Sequence, residues 1–420
     1  MNRPIPPTPE AVEAAFAPDA LMAHVLAYDG FGIHRSGTKG DAATADWMAH
    51  WLGANGFEVS FQSFDVPHFE PVDVAIEIGG TRVEGFPQWP VTPTRGVPVV
   101  APLTRVTTDT RHRRLDGQIA VIEFPYGRPS AFLTATYCEP ILAALAAGAA
   151  GLIGVTTGPT GELIALNAPP KADPFPAPVM MIAPKDAGPV LAAAASGAQG
   201  RLVLEGEGPR PAPARNVIGR LIRPGAPTVV VTTPQSGWFH CAAERGPGIA
   251  IWRALAVWAA ARQDMSFIFA STSGHELENT GAHAFIAEAA PPPDAVRLWL
   301  HLGAGFGARD FHEPAPRTLY PLPSADPQRY LAGTPTLVPM LKSVFAGQPG
   351  LESVYTATPE GTAGELAEVV RAGYAPTFGA FGGHRFHHAR EDRADKTSPE
   401  ILGPLGRAFR AAMEAALAEG

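Results

Sequence analysis

Thr228-Val-Val-Val-Thr-Thr-Pro-Gln-Ser-Gly-Trp-Phe-His-Cys-Ala-Ala-Glu-Arg-Gly-Pro-Gly-Ile-Ala-Ile, residues 228–251, decides the fold. An apolar run over 228–232 reads as a strand, a polar loop follows, and a helix is expected over 248–261. The same alternation continues downstream. Strands are expected over 266–271, 296–302 and 375–381, and helices over 279–289, 334–345, 361–372 and 398–417. Strand 266–271 is apolar throughout its middle, as parallel strands covered on both faces are. The pattern implies an α/β fold, a mostly parallel mixed sheet flanked by helices. In such folds the chemistry sits at the carboxyl ends of the strands.

Upstream, helices are expected over 10–28 and 41–55, with a Gly-rich loop over 30–40 and a strand from Phe57. Residues 66–213 differ in texture, being rich in Val, Pro and Gly with short strands over 74–78 and 118–124. They end in a Pro-rich connector over 209–213. The division expected is therefore 1–65 with 214–420 as the main domain, and 66–213 as an inserted, smaller, β-rich one.

The bulk numbers set limits on function. The 420 residues are 46% hydrophobic and 17% charged, enough to bury a large core. A net charge of −8 without a basic run argues against a nucleic-acid partner. Two cysteines, Cys138 and Cys241, give no disulfide framework and fit a cytoplasmic location. The Met1-Asn-Arg-Pro-Ile-Pro-Pro start lacks an apolar leader, and no run reaches the roughly 18 apolar residues of a membrane span.

Polar residues gather at four strand ends. They are Thr233 to Gly248, Ser273-Gly-His-Glu, His301 with Gly303, and Gly382-Gly-His-Arg-Phe-His-His-Ala-Arg-Glu-Asp. Together with residues 20–65, Asp116-Gly-Gln-Ile-Ala-Val-Ile, Ala146-Ala-Gly-Ala-Ala-Gly-Leu-Ile-Gly-Val and Ala214-Arg-Asn-Val-Ile-Gly-Arg-Leu, they carry a resemblance. The chain resembles, over nearly its whole length, the zinc aminopeptidases related to glutamate carboxypeptidase and the transferrin receptor. The 66–213 segment looks like that family's protease-associated insert.

The resemblance implies a ligand set, and this chain alters it. The family's first His falls on Thr233 and the Asp that orients it on Gln235. Its bridging Asp falls on Glu244, and its base and ligand Glu pair on His275 and Glu276. Its second Asp falls on His301, with Gly303 as the rival register. Its last His falls on His388, followed four and seven residues later by Asp392 and Asp395.

Glu244, Glu276 and His388 are thus the expected ligands of one divalent transition metal, zinc by preference, three protein ligands being enough for a catalytic site. His275 takes the base position, and His301 is expected as a further ligand or a donor to an oxyanion. His240 is a candidate to replace the lost first ligand, Cys241 a candidate nucleophile, and Trp238 a candidate pocket wall. His384 and His387 read as rim residues.

Each of these residues, taken alone, has a bland reading as a core or surface group. Only 13 of the 420 residues are His, yet three of six inherited positions carry it. Random decay would leave common small residues instead, so remodelled chemistry is the stronger expectation. The resemblance implies a metal-dependent hydrolase of a small amide or short peptide substrate. It also implies two alternatives: a cyclase or lyase on the same site, as in the one-zinc glutaminyl cyclases, or an inactive binding protein. A homo-oligomer is left open.

Overall fold

The computed structural model describes residues 6–107, 113–171 and 173–418. The residues 1–5 read for a leader lie outside the described residues. In place of one helix over 10–28 there are α1 (Pro9–Ala15) and α2 (Pro18–Asp29). Pro18 lacks the N–H that a continuing helix needs, so the first helix stops and a second begins on the proline. Thr38 caps α3 (Lys39–Ala54), its Oγ1 accepting from Asp41 N.

The chain then passes through β1 (Glu58–Ile78), β2 (Thr81–Pro87), β3 (Val99–Val106), β4 (Ile119–Glu123), α4 (Ala135–Ala146), β5 (Gly151–Val155), β6 (Val179–Ile182), α5 (Gly188–Ser196) and β7 (Gln199–Leu221). Alternation follows in β8 (Thr228–Pro234), α6 (Ala242–Ala261), β9 (Ser266–Thr272), α7 (Thr280–Glu288) and β10 (Val296–Leu302). A hairpin of β11 (Arg309–Ala315) and β12 (Thr318–Ala325) interrupts it. Then come β13 (Arg329–Gly333), α8 (Val338–Val344), β14 (Val354–Thr356), α9 (Gly364–Arg371), β15 (Thr377–Gly382) and α10 (Pro399–Ala418).

One sheet runs in the order β1-β2-β6-β5-β4-β3-β7-β9-β8-β10-β15-β13-β14. Within it β9, β8, β10 and β15 are neighbours and parallel, as the alternation predicts. Their carboxyl ends therefore share one rim, and all four polar strand ends meet there. β7 and β13 flank this block antiparallel, which makes the sheet mixed.

The Pro-rich stretch 209–213 is not a free connector. It lies inside β7, which pairs antiparallel with β1 from Glu58↔Arg220 to Glu77↔Arg201. Pro211 sits opposite Pro67 in this ribbon. A two-stranded ribbon has an outer edge on each strand, where a missing N–H breaks no ladder bond. Backbone pairing thus continues through both 66 and 213.

The N-terminal helices pack on the main sheet. Val12, Leu21, Met48 and Leu52 share a core with Trp252, Phe269, Leu300 and Phe409. The opposite face is covered from α7 and α9, through Phe285, Leu366 and Val369 on Trp299. Residues from 66 to 204 hold a core of their own, which reaches Trp238, Phe239 and Leu277 at the rim. No helix among the described residues is long and apolar enough to cross a membrane.

Phe269 is the most informative core position. It is fully buried, its ring centroid 5.3 Å from Phe57 and 5.2 Å from Trp252. Phe269→Ala opens a cavity where helix, strand and N-terminal segment meet. It should cost about 3–5 kcal/mol in denaturant unfolding, whereas Val72→Ser, at an exposed site, should stay within about 0.5 kcal/mol.

Candidate metal centre and cleft

Helix α6 starts at Ala242, six residues before the expected 248, because its first turn is capped from elsewhere. Asp392, in the loop after β15, accepts from Ala243 N and Glu244 N at 3.0 Å each. Glu244 is therefore a first-turn helical residue, where the helix dipole favours an anion. Its side chain is fully buried.

His388 approaches from the Asp392 loop with φ of 58°, a left-handed turn rare for a residue with a side chain. Its Nδ1–H donates to Ala165 O at 2.9 Å, and Ala165 N donates back to His388 O at 3.1 Å. That bond fixes the tautomer and leaves a lone pair on Nε2, as metal-binding histidines require. Nε2 lies 3.5 Å from Glu244 Oε1. The neighbouring His387 stacks on His388 at 4.0 Å, and its Nδ1 lies 3.8 Å from Glu244 Oε2.

These three residues are the one group of carboxylate, imidazole or thiol ligands, among the described residues, whose atoms lie within 4.8 Å of one another. Both Glu244 oxygens and His387 Nδ1 are buried without hydrogen-bond partners. Ligands on one tetrahedral zinc, with bonds of about 2.0–2.1 Å, lie roughly 3.3 Å apart. The donor set and spacing therefore fit a single divalent metal.

The expected set differs from this one. Glu276 is buried at the same rim, but its Oε1 accepts from Ser36 N at 2.5 Å and its Oε2 from Ser236 Oγ at 2.8 Å. It ties the N-terminal loop to the site loop, and His387, read from sequence as a rim residue, stands in the group instead.

Arg245 is the other buried charge. Its Nη2 lies 2.7 Å from Glu244 Oε1 but off the line of a hydrogen bond, so both Nη atoms lack such a partner. Its Nε donates to Ser236 O at 2.8 Å. Burial pushes the Glu244 carboxyl up, but Arg245, His387 and His388 outweigh it and hold the group well below the carboxylate range.

The inherited first-ligand position has another use. Thr233 Oγ1 donates to Leu302 O at 2.9 Å. Gln235 Nε2 donates to Asp41 Oδ1, while Gln235 Oε1 accepts from Ser271. Neither is turned to a ligand.

His275 meets a partner the sequence reading missed. Its Nδ1 lies 3.2 Å from Oε1 of Glu365, on the first turn of α9, and Thr272 Oγ1 donates to the same carboxylate at 2.8 Å. Burial raises the Glu365 carboxyl and, with Arg245 second, lowers the His275 imidazole well below its ordinary value. The ring is therefore neutral near pH 7.

On β10 the Trp299 indole N–H donates to Thr232 Oγ1, whose hydroxyl proton is then given to His301 Nδ1, both contacts being 3.0 Å. This puts the ring proton on His301 Nε2, which is buried and unpartnered. Burial lowers His301 to about 4. Gly303 bears no chemistry in the rival register, since a Cβ there would stand 2.7 Å from Ala380 O.

His275, His301, His387 and His388 all line one cleft of about 330 Å³, with Asn167, Ser130 and Arg128 from the 66–213 segment opposite. The three subsidiary candidates are not on its wall. His240 Nδ1 is 2.8 Å from Asp29 Oδ1 and faces a separate depression, so it is no substitute ligand. Trp238 is buried against Phe86 and Trp89, its indole N–H on Asn167 Oδ1, so it is interface core. Cys241 is fully buried, and burial raises its thiol well above the ordinary value, the reverse of an activated nucleophile.

No protein-family model matches the chain, and no curated protein is similar to it in sequence. Its fold is that of the zinc aminopeptidases. A zinc aminopeptidase from Bacillus subtilis superposes with a TM-score of 0.74 at 17% identity, covering 96% of this chain and 95% of that one. A peptidase M28 precursor from Shewanella amazonensis gives 0.69 at 17% identity over 97% and 96%. An aminopeptidase from Aneurinibacillus sp. strain AM-1 gives 0.66 at 14% identity over 96% and 95%.

Beneath the cleft Asp41 is fully enclosed, accepting from Gln235 Nε2, Gly37 N and Ser273 Oγ. Burial raises it from 3.8 to about 7. Between those values the folded protein holds a proton that the unfolded chain has lost, so stability falls as pH rises from about 4 to 7. Asp41→Asn, which cannot ionise, should flatten that slope. Denaturant unfolding from pH 4 to 8 checks this, and an unchanged slope would assign the loss to other groups.

Proposed function

We propose that the protein is a metal-dependent hydrolase of a small amide- or peptide-like substrate, with a mononuclear site. The observation that carries the reading is the buried Glu244 carboxylate, unpartnered by any hydrogen bond, facing two imidazole nitrogens at 3.5 and 3.8 Å. Glu244, His387 and His388 would hold the metal, and this oxygen–nitrogen set suits zinc. A metal there supplies Lewis acidity and acidifies water.

The chain's own residues do the rest. The neutral His275 accepts the proton of the attacking water at Nε2, and Glu365 holds its Nδ1–H so that the lone pair faces the cleft. His301 Nε2–H, fixed by Thr232, donates to the oxyanion that develops on the carbonyl. A cleft of about 330 Å³ suits a ligand of about two residues and not a folded protein.

One observation favours a second reading. Arg245 already sets a positive charge against Glu244, as a metal-free binding protein would need. Mass spectrometry for metals, on protein purified without added metal or chelator, separates the two. About one transition metal per chain is expected. Two at full occupancy would overturn the mononuclear site, and none would favour the binding protein. His387→Ala should remove the metal. His275→Ala should keep it and lose roughly 10²–10⁴ in turnover, the usual share of a general base. Loss of metal in His275→Ala would make that residue a ligand.

A further inference from the structure

One part of the cleft wall is built on a strained turn. The tight turn after His275 places Glu278 and Asn279 in succession at φ of 50° and 60°. Asn tolerates the left-handed region. Glu does not favour it, and glycine is the residue such a position would ordinarily take. A strained residue that persists beside a cleft calls for a functional reason.

What the strain achieves is visible at the side chain. Glu278 lines the cleft, and its Oε1 is buried without a hydrogen-bond partner. The same cleft is also lined by two aromatic rings, Phe381 and Tyr330. Phe381 stacks on His301 at 5.9 Å, and Tyr330 lies 5.6 Å from Phe381. Burial and the nearby Glu368 carboxylate both push the Glu278 carboxyl up, so an arriving cation would relieve it. Arg128, the arginine that lines the same cleft, is already engaged with Asp326 and Gly383 O.

A buried, unpartnered carboxylate oxygen in a cleft that is also lined by aromatic rings is chemistry that receives an organic cation. We propose that this part of the cleft recognises a primary ammonium or guanidinium group on the substrate, with Glu278 as the specificity-determining residue. The proposal rests on the hydrolase reading for the word substrate, but the binding itself does not need catalysis.

The test has a binding arm and a turnover arm. Calorimetry compares butylammonium with 1-pentanol, its neutral counterpart in size. The native protein should bind the ammonium at least about tenfold more tightly, and Glu278→Gln should bring the two level. Glu278→Gly should do the same while raising the melting temperature, because glycine relaxes the strained turn. A role confined to structure would not separate stability from recognition in this way.

In the turnover arm, the p-nitroanilide of 4-aminobutanoic acid should exceed that of pentanoic acid in kcat/KM by a similar factor. Ammonium binding that depends on Glu278 without hydrolysis of either anilide would sustain this proposal and remove the hydrolase reading. Equal hydrolysis of both anilides with no ammonium preference would do the opposite. A preference that survives Glu278→Gln would also overturn it.

Discussion

Glu244 and Arg245 are adjacent, fully enclosed and oppositely charged, and the polar groups around them are arranged to make that burial tolerable. An enclosed ion pair without further hydrogen bonds recovers little of the desolvation cost of its charges. Here the carboxylate gains the amino end of α6, and the guanidinium gains Ser236 O. The same cation helps keep His275 neutral, and burial lowers His301 and His387 in the same cleft.

The 66–213 segment contributes to the centre as well as covering it. Ala165 fixes the tautomer of His388, Ala168 N donates to Glu276 O, and Asn167 lines the cleft and anchors Trp238. The β1–β7 ribbon explains how a segment with its own core can be held this firmly. Two long strands span both regions and stay paired from Glu58↔Arg220 to Glu77↔Arg201, with register shifts only near His68 and Pro71.

The fold was legible because hydrophobic periodicity is a local property. The order of strands and helices from 228 to 302, and the shared rim, follow from it directly. Boundaries were misread where a distant residue intervenes. Asp392 extends α6 backward to Ala242, and no window around Ala242 contains that information. In the site, His388, Glu244, His275 and His301 were found through inherited spacing, and all four lie at the rim. Glu365 and His387 were not. Glu365 looks like any acid on an amphipathic helix, and only the packing of α9 against β15 and α7 reveals its partner. Two adjacent histidines rarely face one way, and the left-handed turn at His388 that brings both to Glu244 leaves no mark in the sequence.

The bond between His388 and Ala165 joins residues 223 positions apart, and the one between Ser36 and Glu276 joins residues 240 apart. Contacts of such long range form late, since loop closure must come first. During synthesis the Ala165 carbonyl waits through more than half the chain for its imidazole. The centre is therefore a record of completed folding. Until the ribbon is closed and the last loop has docked, His388 has no fixed tautomer and Glu244 no cap, so the candidate cluster exists only in the finished chain.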